Sequence, residues 1–347
     1  MDFLFIDWLG TPVWFWLSFL GLVAALTAFD LGILHKEDTE MGIGESLKLS
    51  AFYISIALAF GVFVYFQKTA AFGVDIGIDL TMKYYTGFFI EKALSIDNIF
   101  VIGLIFTTFA IPPKYQYRAL LWGIIGVIVL RGIMIALGAA LVEQFYWVLY
   151  IFAVFLIGTG VKMLFASDKP MDVKNNPAVR FISRLMRVTP ELHGQKFFVK
   201  VPDSATGRLV LAATPLFLAL VVINIVDLVF AVDSVPAIFA ITTDTFIVYT
   251  SNIMAILGLR ALYFALAAMV HRFEYLKYAL ALVLVFIGSK IFVADFILGG
   301  DKFPPMLSLG VTFGLILGGI LWSLWKTRGT NAQPEDPMIE QFPHQAK

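Results

Sequence analysis

The chain is dominated by apolar stretches of about twenty residues, the length that an α-helix needs to cross a lipid bilayer. Nine such spans can be placed, at residues 12–34, 48–67, 80–110, 116–142, 146–166, 208–241, 246–270, 275–297 and 305–325. Composition agrees, because 60% of the residues are hydrophobic and only 14% are charged, whereas about a quarter of the residues in a soluble domain are charged. The sequence therefore predicts an all-α polytopic membrane protein with about nine transmembrane helices.

Lysine and arginine are distributed unevenly between the loops on the two sides of the membrane. The stretch 167–208 alone contains eight of them, whereas the loops on the other side contain only Lys68, Lys83 and Lys302. Basic residues concentrate on the cytoplasmic side of membrane proteins. We therefore predict a multi-pass protein with its N-terminus outside and its C-terminus inside.

The basic inner loop, residues 167–207, contains a segment with an apolar stripe and a stripe of arginines, Arg180, Arg184 and Arg187. This pattern predicts a short helix lying on anionic lipid of the inner leaflet, and a solvated loop helix is the alternative. The tail 329–347 is polar and contains prolines, so we expect it to be disordered. A single transmembrane domain would then occupy residues 1–328.

The third and sixth spans each contain two acidic residues, although an ionised Asp at the centre of a bilayer costs about 3 kcal/mol. The segment FFIEKALSIDNIFVIG aligns with NIVDLVFAVDSVPAIF. The alignment places Glu91 opposite Asp227, Asp97 opposite Asp233, and Asn98 opposite Ser234. Both copies thus share an acid, five residues, an Asp and a small hydrogen-bonding residue.

The match continues downstream of these motifs. RGIMIALGAAL, which begins at Arg131, matches RALYFALAAMV, which begins at Arg260, and GVKM matches GSKI. Spans three to five, about 80–166, thus recur as spans six to eight, about 208–297. Because the unit has an odd number of spans, the second copy enters the membrane from the opposite side. This predicts an inverted repeat, an architecture in which transporters place their binding site near the midplane.

Helical geometry determines which motif residues face one another. Residues seven apart share a face of an α-helix, whereas residues six apart differ by about 120°. Glu91 should therefore stack with Asn98, and the corresponding residues of the second copy should also stack. The second acid of each motif would join them only if the helix were irregular, and Pro236 is a possible cause of irregularity in the sixth span.

Carboxylate, amide and hydroxyl oxygens are hard ligands that suit Mn²⁺, Mg²⁺ or Ca²⁺. Asn224, Asp30, Arg131 and Arg260 are secondary candidates for the site. The chain has no cysteine, which excludes thiolate metal sites and thiol nucleophiles, and its four histidines fall in loops or at membrane edges. A buried carboxylate can also bind a proton instead of a metal ion, which would couple metal efflux to proton entry.

An alternative use of the buried acids is ion pairing with cations in the same spans. These cations are Lys92, Arg131, Lys162, Arg260 and Lys290. If the charges only hold helices together, the protein is a membrane scaffold whose basic inner loop recruits partners. In a mixed arrangement, Arg131 and Arg260 brace the site or displace the cargo.

Enzymatic activity is not expected, because no polar loop offers a nucleophile and base and no phosphate-binding glycine motif occurs. A formal net charge of zero gives no reason to expect a nucleic-acid partner. No resident cofactor is expected, and the oligomeric state does not follow from the sequence.

Three segments carry a family resemblance: GFFIEKALSIDNIFV, VDLVFAVDSVPAIFAITTD and FIVYTSNIMAILGLRALYF. The chain resembles the TerC family of integral membrane proteins, most closely its Alx branch. The resemblance implies a metal-ion transporter of the bacterial inner membrane, chiefly for manganese efflux, with a looser link to tellurite resistance. The residues that correspond to the family's essential acids are Glu91, Asp97, Asp227 and Asp233, with Asn98 and Ser234 beside them.

One departure from the family pattern concerns Asn224, which stands where many relatives carry Glu. A ligand at this position would have one negative charge fewer, so metal preference or affinity could differ. The choice between Mn²⁺ and Ca²⁺, and with it a Ca²⁺/H⁺ type of exchanger, stays open.

Overall fold

Long helices account for most of the chain in the computed structural model, which describes residues 2–32, 43–165, 187–202, 209–267, 275–298 and 303–327. The helices are α1 (Val13–Gly32), α2 (Ile43–Phe72), α3 (Val74–Thr108), α4 (Pro113–Gln144), α5 (Val148–Phe165), α6 (Pro215–Phe239), α7 (Thr245–Leu257), α8 (Leu259–Ala267), α9 (Leu276–Phe292) and α10 (Pro305–Lys326). A π-helical turn, Val293–Ile297, extends α9. The tail that we expected to be disordered lies outside the described residues.

Eight helical stretches among the described residues are long and apolar enough to cross a membrane. One of them consists of α7 and α8 together, which Gly258 separates. The predicted third span corresponds to α3, a continuous helix of 35 residues that is not among the eight. Charged side chains such as Asp79, Lys83, Glu91 and Lys92 interrupt its apolar sequence. The polytopic all-α prediction is therefore confirmed for eight spans.

The start of the predicted sixth span was wrong. Residues Leu209–Ala213 form a β-strand, β5, which pairs antiparallel with β4 (Phe198–Pro202) and parallel with β3 (Arg187–Val188). Helix α6 begins only at Pro215, because proline is pre-organised for the first helical position. Thr214 caps the helix by accepting a hydrogen bond from the backbone N–H of Phe217.

The small sheet corrects the helix predicted in the basic inner loop at one residue, and the predicted contact with lipid stays a prediction. Arg187 lies in β3 and not on a helix. A parallel bridge to β5, centred on Ala212, holds its backbone in the strand. Arg180 and Arg184 lie outside the described residues. A second small element, a two-stranded hairpin of β1 (Asp7–Trp8) and β2 (Thr11–Pro12), precedes α1.

The irregularity expected at Pro236 does not break α6, which runs through the proline and ends at Phe239. Because Pro236 lies in the last turn, its missing N–H removes a hydrogen bond only near the end of the helix. The interruption occurs instead in the next span, at Gly258.

Helices α5 and α9 approach each other closely through two glycines. A Cβ added to Gly160 would lie 2.6 Å from the carbonyl oxygen of Ala281, and one added to Gly288 would lie 2.6 Å from that of Ala153. The helices are therefore antiparallel, and the two contacts are reciprocal. Small residues permit such close backbone approach in membrane helices.

An aromatic cluster fixes α7 against the first two helices. The ring of Phe246 at the start of α7 lies 5.8 Å from Phe15, 5.2 Å from Trp16, 6.4 Å from Phe19 and 6.4 Å from Phe60. Aromatic pairs at such distances add to the stabilisation from burial. This packing positions the polar residues that α7 carries one and two turns further on.

Candidate functional site

A buried arginine lies at the meeting point of α3, α4 and α6. Arg131 of α4 is 1% exposed. Its Nε donates to Oδ2 of Asp227 over 2.9 Å, and its Nη2 donates to Oδ1 of Asp227, also over 2.9 Å. Its Nη1 forms an ion pair with Glu91 of α3. One guanidinium therefore neutralises charge from both motif helices, and its pairing with Asp227 is the bidentate geometry that makes such pairs strong.

An asparagine from α7 forms a hydrogen bond with the second carboxylate oxygen of Glu91. Asn252 donates from Nδ2 to Oε2 of Glu91 over 3.0 Å, and its Oδ1 accepts from Nη1 of Arg131 over 3.0 Å. Both ends of the amide are thereby used. Asn252 holds the acid and the arginine in one orientation relative to each other.

The small polar residue that ends each motif contacts a residue from the other sequence copy. Ser234 accepts from Nη1 of Arg131 over 3.3 Å, and Asn98 donates to Oδ1 of Asp227 over 3.4 Å. All of these side chains are buried. We call this group the Arg131 cluster: Glu91, Asn98, Arg131, Asp227, Ser234 and Asn252.

A second buried ion pair lies apart from this cluster. Arg260 of α8 is 1% exposed and forms an ion pair with Asp30 of α1, which is 5% exposed. The guanidinium carbon lies 4.4 Å from the ring centroid of Tyr117. Nε and Nη1 of Arg260 have no hydrogen-bond partner among the described residues.

Two cavities lie on opposite sides of the Arg131 cluster. A small cavity of about 20 Å³ is lined by Asn98, Asp227 and Arg260 together with apolar residues, and it has room for one water molecule or a bare ion. A larger cavity of about 450 Å³ lies toward the start of α3 and the end of α6. Its charged lining residues are Asp79, Lys83, Asp244, Lys290 and Asp295.

The acids of the larger cavity already have partners. Asp79 pairs with Lys83 at 2.6 Å and Asp244 with Lys68 at 2.8 Å. The hydroxyl of Tyr150 donates to Asp295 over 2.6 Å. The larger cavity is therefore a polar space with locally balanced charge and not a cluster of free carboxylates.

A model of the integral membrane protein TerC family matches residues 76–331. This chain belongs to the TerC family. It is 50% identical over 309 residues to an uncharacterized membrane protein of Rickettsia bellii, which covers 89% of this chain and 96% of the relative. It is 43% identical over 313 residues to the uncharacterized membrane protein STKORF319 of Myxococcus xanthus, covering 90% and 92%. It is 40% identical over 317 residues to the putative membrane-bound redox modulator Alx of Escherichia coli, covering 91% and 95%. No solved structure shows a significant match.

The structure of this TerC-family chain brings together four of the six primary site residues that the sequence predicts. Glu91, Asn98, Asp227 and Ser234 all belong to the Arg131 cluster, as the seven-residue spacing predicts. The side chains of Asp97 and Asp233 lie outside the described residues, so their participation stays a prediction. In the described part of the chain, no group of three or more His, Cys, Asp or Glu side chains is arranged to hold a metal ion.

The secondary candidates separate into different places. Arg131 is central, whereas Arg260 and Asp30 form their own pair. Asp30 lies near the end of α1, where Arg260 neutralises it in a buried position. Asn224 donates from Nδ2 to the carbonyl oxygen of Leu220 over 2.9 Å and lies against Gly126 of α4, one turn away from the cluster.

The remaining cations do not pair with the motif acids in the described residues. Lys92 donates to the carbonyl oxygen of Ala255 over 3.1 Å, and Lys290 donates to the hydroxyl of Ser308 over 3.4 Å. Lys162 is exposed near the end of α5, and a lysine in such a place can extend its charged group toward the membrane surface.

Asn252 is the site residue that sequence reasoning missed. The available signal was an amide in the middle of the apolar segment FIVYTSNIMAIL, where a polar side chain needs a buried partner. No spacing relates this residue to Glu91, so its contact with the acid follows only from the packing of α7 on α3.

Proposed function

We propose that this TerC-family protein is a secondary transporter that exports a hard divalent cation, with Mn²⁺ as its preferred cargo. The observation that carries the proposal is the oxygen cage around the guanidinium of Arg131. Oxygen atoms of Glu91, Asp227, Ser234 and Asn252 all accept hydrogen bonds from this one positive group. Such oxygens are the ligands that Mn²⁺ and Ca²⁺ prefer.

In this proposal, the guanidinium of Arg131 occupies the position that the cargo takes. The two carboxylates carry a charge of −2, which a divalent cation neutralises fully and Arg131 neutralises by half. Arg131 therefore halves the buried negative charge of the site when no metal ion is bound, and it withdraws when the metal ion binds. The acids Asp97 and Asp233 provide the further ligands that the sequence predicts.

The cost of the arrangement supports a functional role. A buried ion pair is often no more stabilising than well-packed apolar residues of similar volume, and ionisable groups at membrane depth mark ion pathways and proton relays. A protein that needed only helix packing would gain little from placing Glu91, Arg131 and Asp227 together in its centre.

An inverted repeat with the N-terminus outside accounts for the reciprocal contacts. Gly160 and Gly288 occupy matching positions in the two sequence copies and make matching contacts across an antiparallel helix pair. Asn98 from the first motif lies beside the acid of the second motif, Asp227. Two copies related by an axis in the membrane plane would produce contacts of this kind.

We further propose that proton entry drives export across a bacterial inner membrane. A carboxylate of the Arg131 cluster that has released its metal ion can bind a proton. The Escherichia coli relative is named a putative redox modulator, but this chain contains no cysteine and so has no thiol chemistry of its own.

The experiment is Mn²⁺ flux from loaded proteoliposomes. Glu91→Gln and Asp227→Asn are expected to abolish flux while the purified protein stays monodisperse. Glu143→Gln is the matched control, because Glu143 is exposed at the end of α4, and it should keep the flux of the parent protein. Unchanged flux in both cluster variants would refute the proposal.

The scaffold alternative makes different predictions for the same two variants and for the basic inner loop. It predicts that Glu91→Gln and Asp227→Asn fail to fold, and that replacing Arg180, Arg184 and Arg187 by Gln removes metal tolerance in cells. Normal metal tolerance in the triple variant, together with folded but inactive cluster variants, favours transport.

A further inference from the structure

The two arginines that the sequence aligns, Arg131 and Arg260, are equally buried but differently paired. Arg131 contacts the acids of both motif helices, Glu91 and Asp227. Arg260 forms an ion pair with the acid of α1, Asp30, and its Nε and Nη1 lack hydrogen-bond partners in the described ranges. The arginine of the first copy thus lies in the Arg131 cluster, whereas the arginine of the second copy is paired outside it.

The small cavity joins this second arginine to the cluster. Arg260, Asp227 and Asn98 line the same space of about 20 Å³. By the sequence alignment, Asp227 and Asn98 are the counterparts of Glu91 and Ser234, two of the residues that Arg131 contacts. If the two copies exchanged conformations, Arg260 would bind Asp227 and Asn98 as Arg131 now binds Glu91 and Ser234. Arg260 already lines the same cavity as these two residues.

We propose that Arg260 is the second counter-ion of the cargo site, and that the two arginines alternate. In the opposite-facing state, Arg260 leaves Asp30 and binds Asp227 and Asn98, while Arg131 withdraws from the cluster. This inference rests on the proposed function, because exchange of conformations between inverted repeats is how such transporters alternate access. Each empty state then has one guanidinium at the acids, and the metal ion occupies the site during the change of state.

In this scheme Asp30 stabilises the present state through its ion pair with Arg260. It holds the positive charge of Arg260 away from Asp227, and its own Oδ1 has no hydrogen-bond partner within the described residues. Tyr117 supports the same position, because its ring faces the guanidinium and its hydroxyl donates to the backbone carbonyl oxygen of Asp30 over 3.0 Å.

The test uses the absence of native cysteine. Two single-cysteine reporters are made, Thr243→Cys in the larger cavity and Ile102→Cys in the smaller cavity. In proteoliposomes without metal, the labelling rate of each reporter with a small thiol reagent is measured. In the present state the larger cavity has about 450 Å³ and the smaller one about 20 Å³. A high ratio of the Thr243→Cys rate to the Ile102→Cys rate therefore indicates the present state, and a low ratio indicates the opposite-facing state.

Two variants that break the same ion pair should have opposite effects. Arg260→Gln removes the second counter-ion, so the present state is favoured and the ratio should rise at least threefold. Asp30→Asn releases Arg260, so the ratio should fall at least threefold. Glu143→Gln is the control and should leave the ratio unchanged.

A purely structural role for the pair predicts the same direction of change for both variants. A common direction, or no change in either, overturns the proposal. If Arg260→Gln fails to insert, Asp30→Asn decides alone, because it keeps Arg260 charged and only a fall in the ratio fits the proposal. The labelling ratio does not depend on the cargo, so an absence of Mn²⁺ flux in the parent protein would refute the transport function and leave the result on alternating arginines readable.

Discussion

Arg131 binds Asp227 through two hydrogen bonds of 2.9 Å, one from Nε and one from Nη2, so that the guanidinium and the carboxylate form a bidentate pair. The third nitrogen of the same guanidinium reaches Glu91 on another helix. The two acids are therefore joined through a single guanidinium.

Removing that cation should destabilise the protein unless a metal ion replaces it. Arg131→Gln leaves two buried carboxylates without a counter-ion, and we expect a loss of about 3–5 kcal/mol in the free energy of unfolding. Thermal unfolding in detergent measures the change. Lys162→Gln is the control, since Lys162 is exposed and should change stability by less than about 0.5 kcal/mol.

Mn²⁺ should restore part of the stability that Arg131→Gln loses. A ligand at 100 times its Kd stabilises the folded state by about 2.7 kcal/mol. The midpoint of unfolding should therefore rise with Mn²⁺ more steeply in the variant than in the parent protein, whose site Arg131 occupies. Equal slopes would contradict competition between Arg131 and the metal ion.

Asn252 should contribute to metal affinity, although it is uncharged. Asn252→Ala removes a donor to Glu91 and an oxygen that faces the proposed cargo position. Residues that orient metal ligands typically change affinity by about 10–100-fold, and we expect a weakening of Mn²⁺ binding in that range by titration calorimetry. A Kd within a factor of two of the parent value would exclude the residue from the site.

The second acid of each motif should be essential for flux. Asp97→Asn and Asp233→Asn are isosteric changes, so each variant should insert and purify normally but lose Mn²⁺ release from loaded vesicles. Full release in both variants would remove these positions from the site and leave only the Arg131 cluster.

The reciprocal glycine contacts give a test of the packing. Gly160→Ala and Gly288→Ala each place a Cβ 2.6 Å from a carbonyl oxygen, so α5 and α9 must separate, at a cost of about 1–3 kcal/mol each. A Cβ at Gly158 would have no neighbour within 4 Å, so Gly158→Ala is the matched control and should not lower the unfolding temperature. Similar losses for the first two variants support the equivalence of the two contacts.

The sequence predicts the motif half of the site because residues seven apart share a helix face whatever the helix packs against. Glu91 with Asn98, and Asp227 with Ser234, follow from that rule. The identity of the cation that pairs with these acids does not follow from the spacing. Five intramembrane cations were available, and only the packing of α4 selects Arg131. The pairing of Asp30 with Arg260 does not follow from the sequence for the same reason, since the two residues are distant along the chain.

The boundary of α6 shows a different limit. Residues Leu209–Ala213 are as apolar as the helix that follows, so length and hydropathy merge the strand with the span. The signal for the true start is the Thr214–Pro215 pair, which forms the N-cap and the first helical position. A short apolar segment cannot be assigned to strand or helix by periodicity alone.

A Mn²⁺ binding isotherm on purified protein tests whether the buried carboxylates bind the divalent cation. We expect saturable binding in the parent protein and in Glu143→Gln, and at least a tenfold weaker Kd in both Glu91→Gln and Asp227→Asn. Isotherms that coincide for all four proteins would contradict the claim that these two carboxylates exchange Arg131 for a divalent cation.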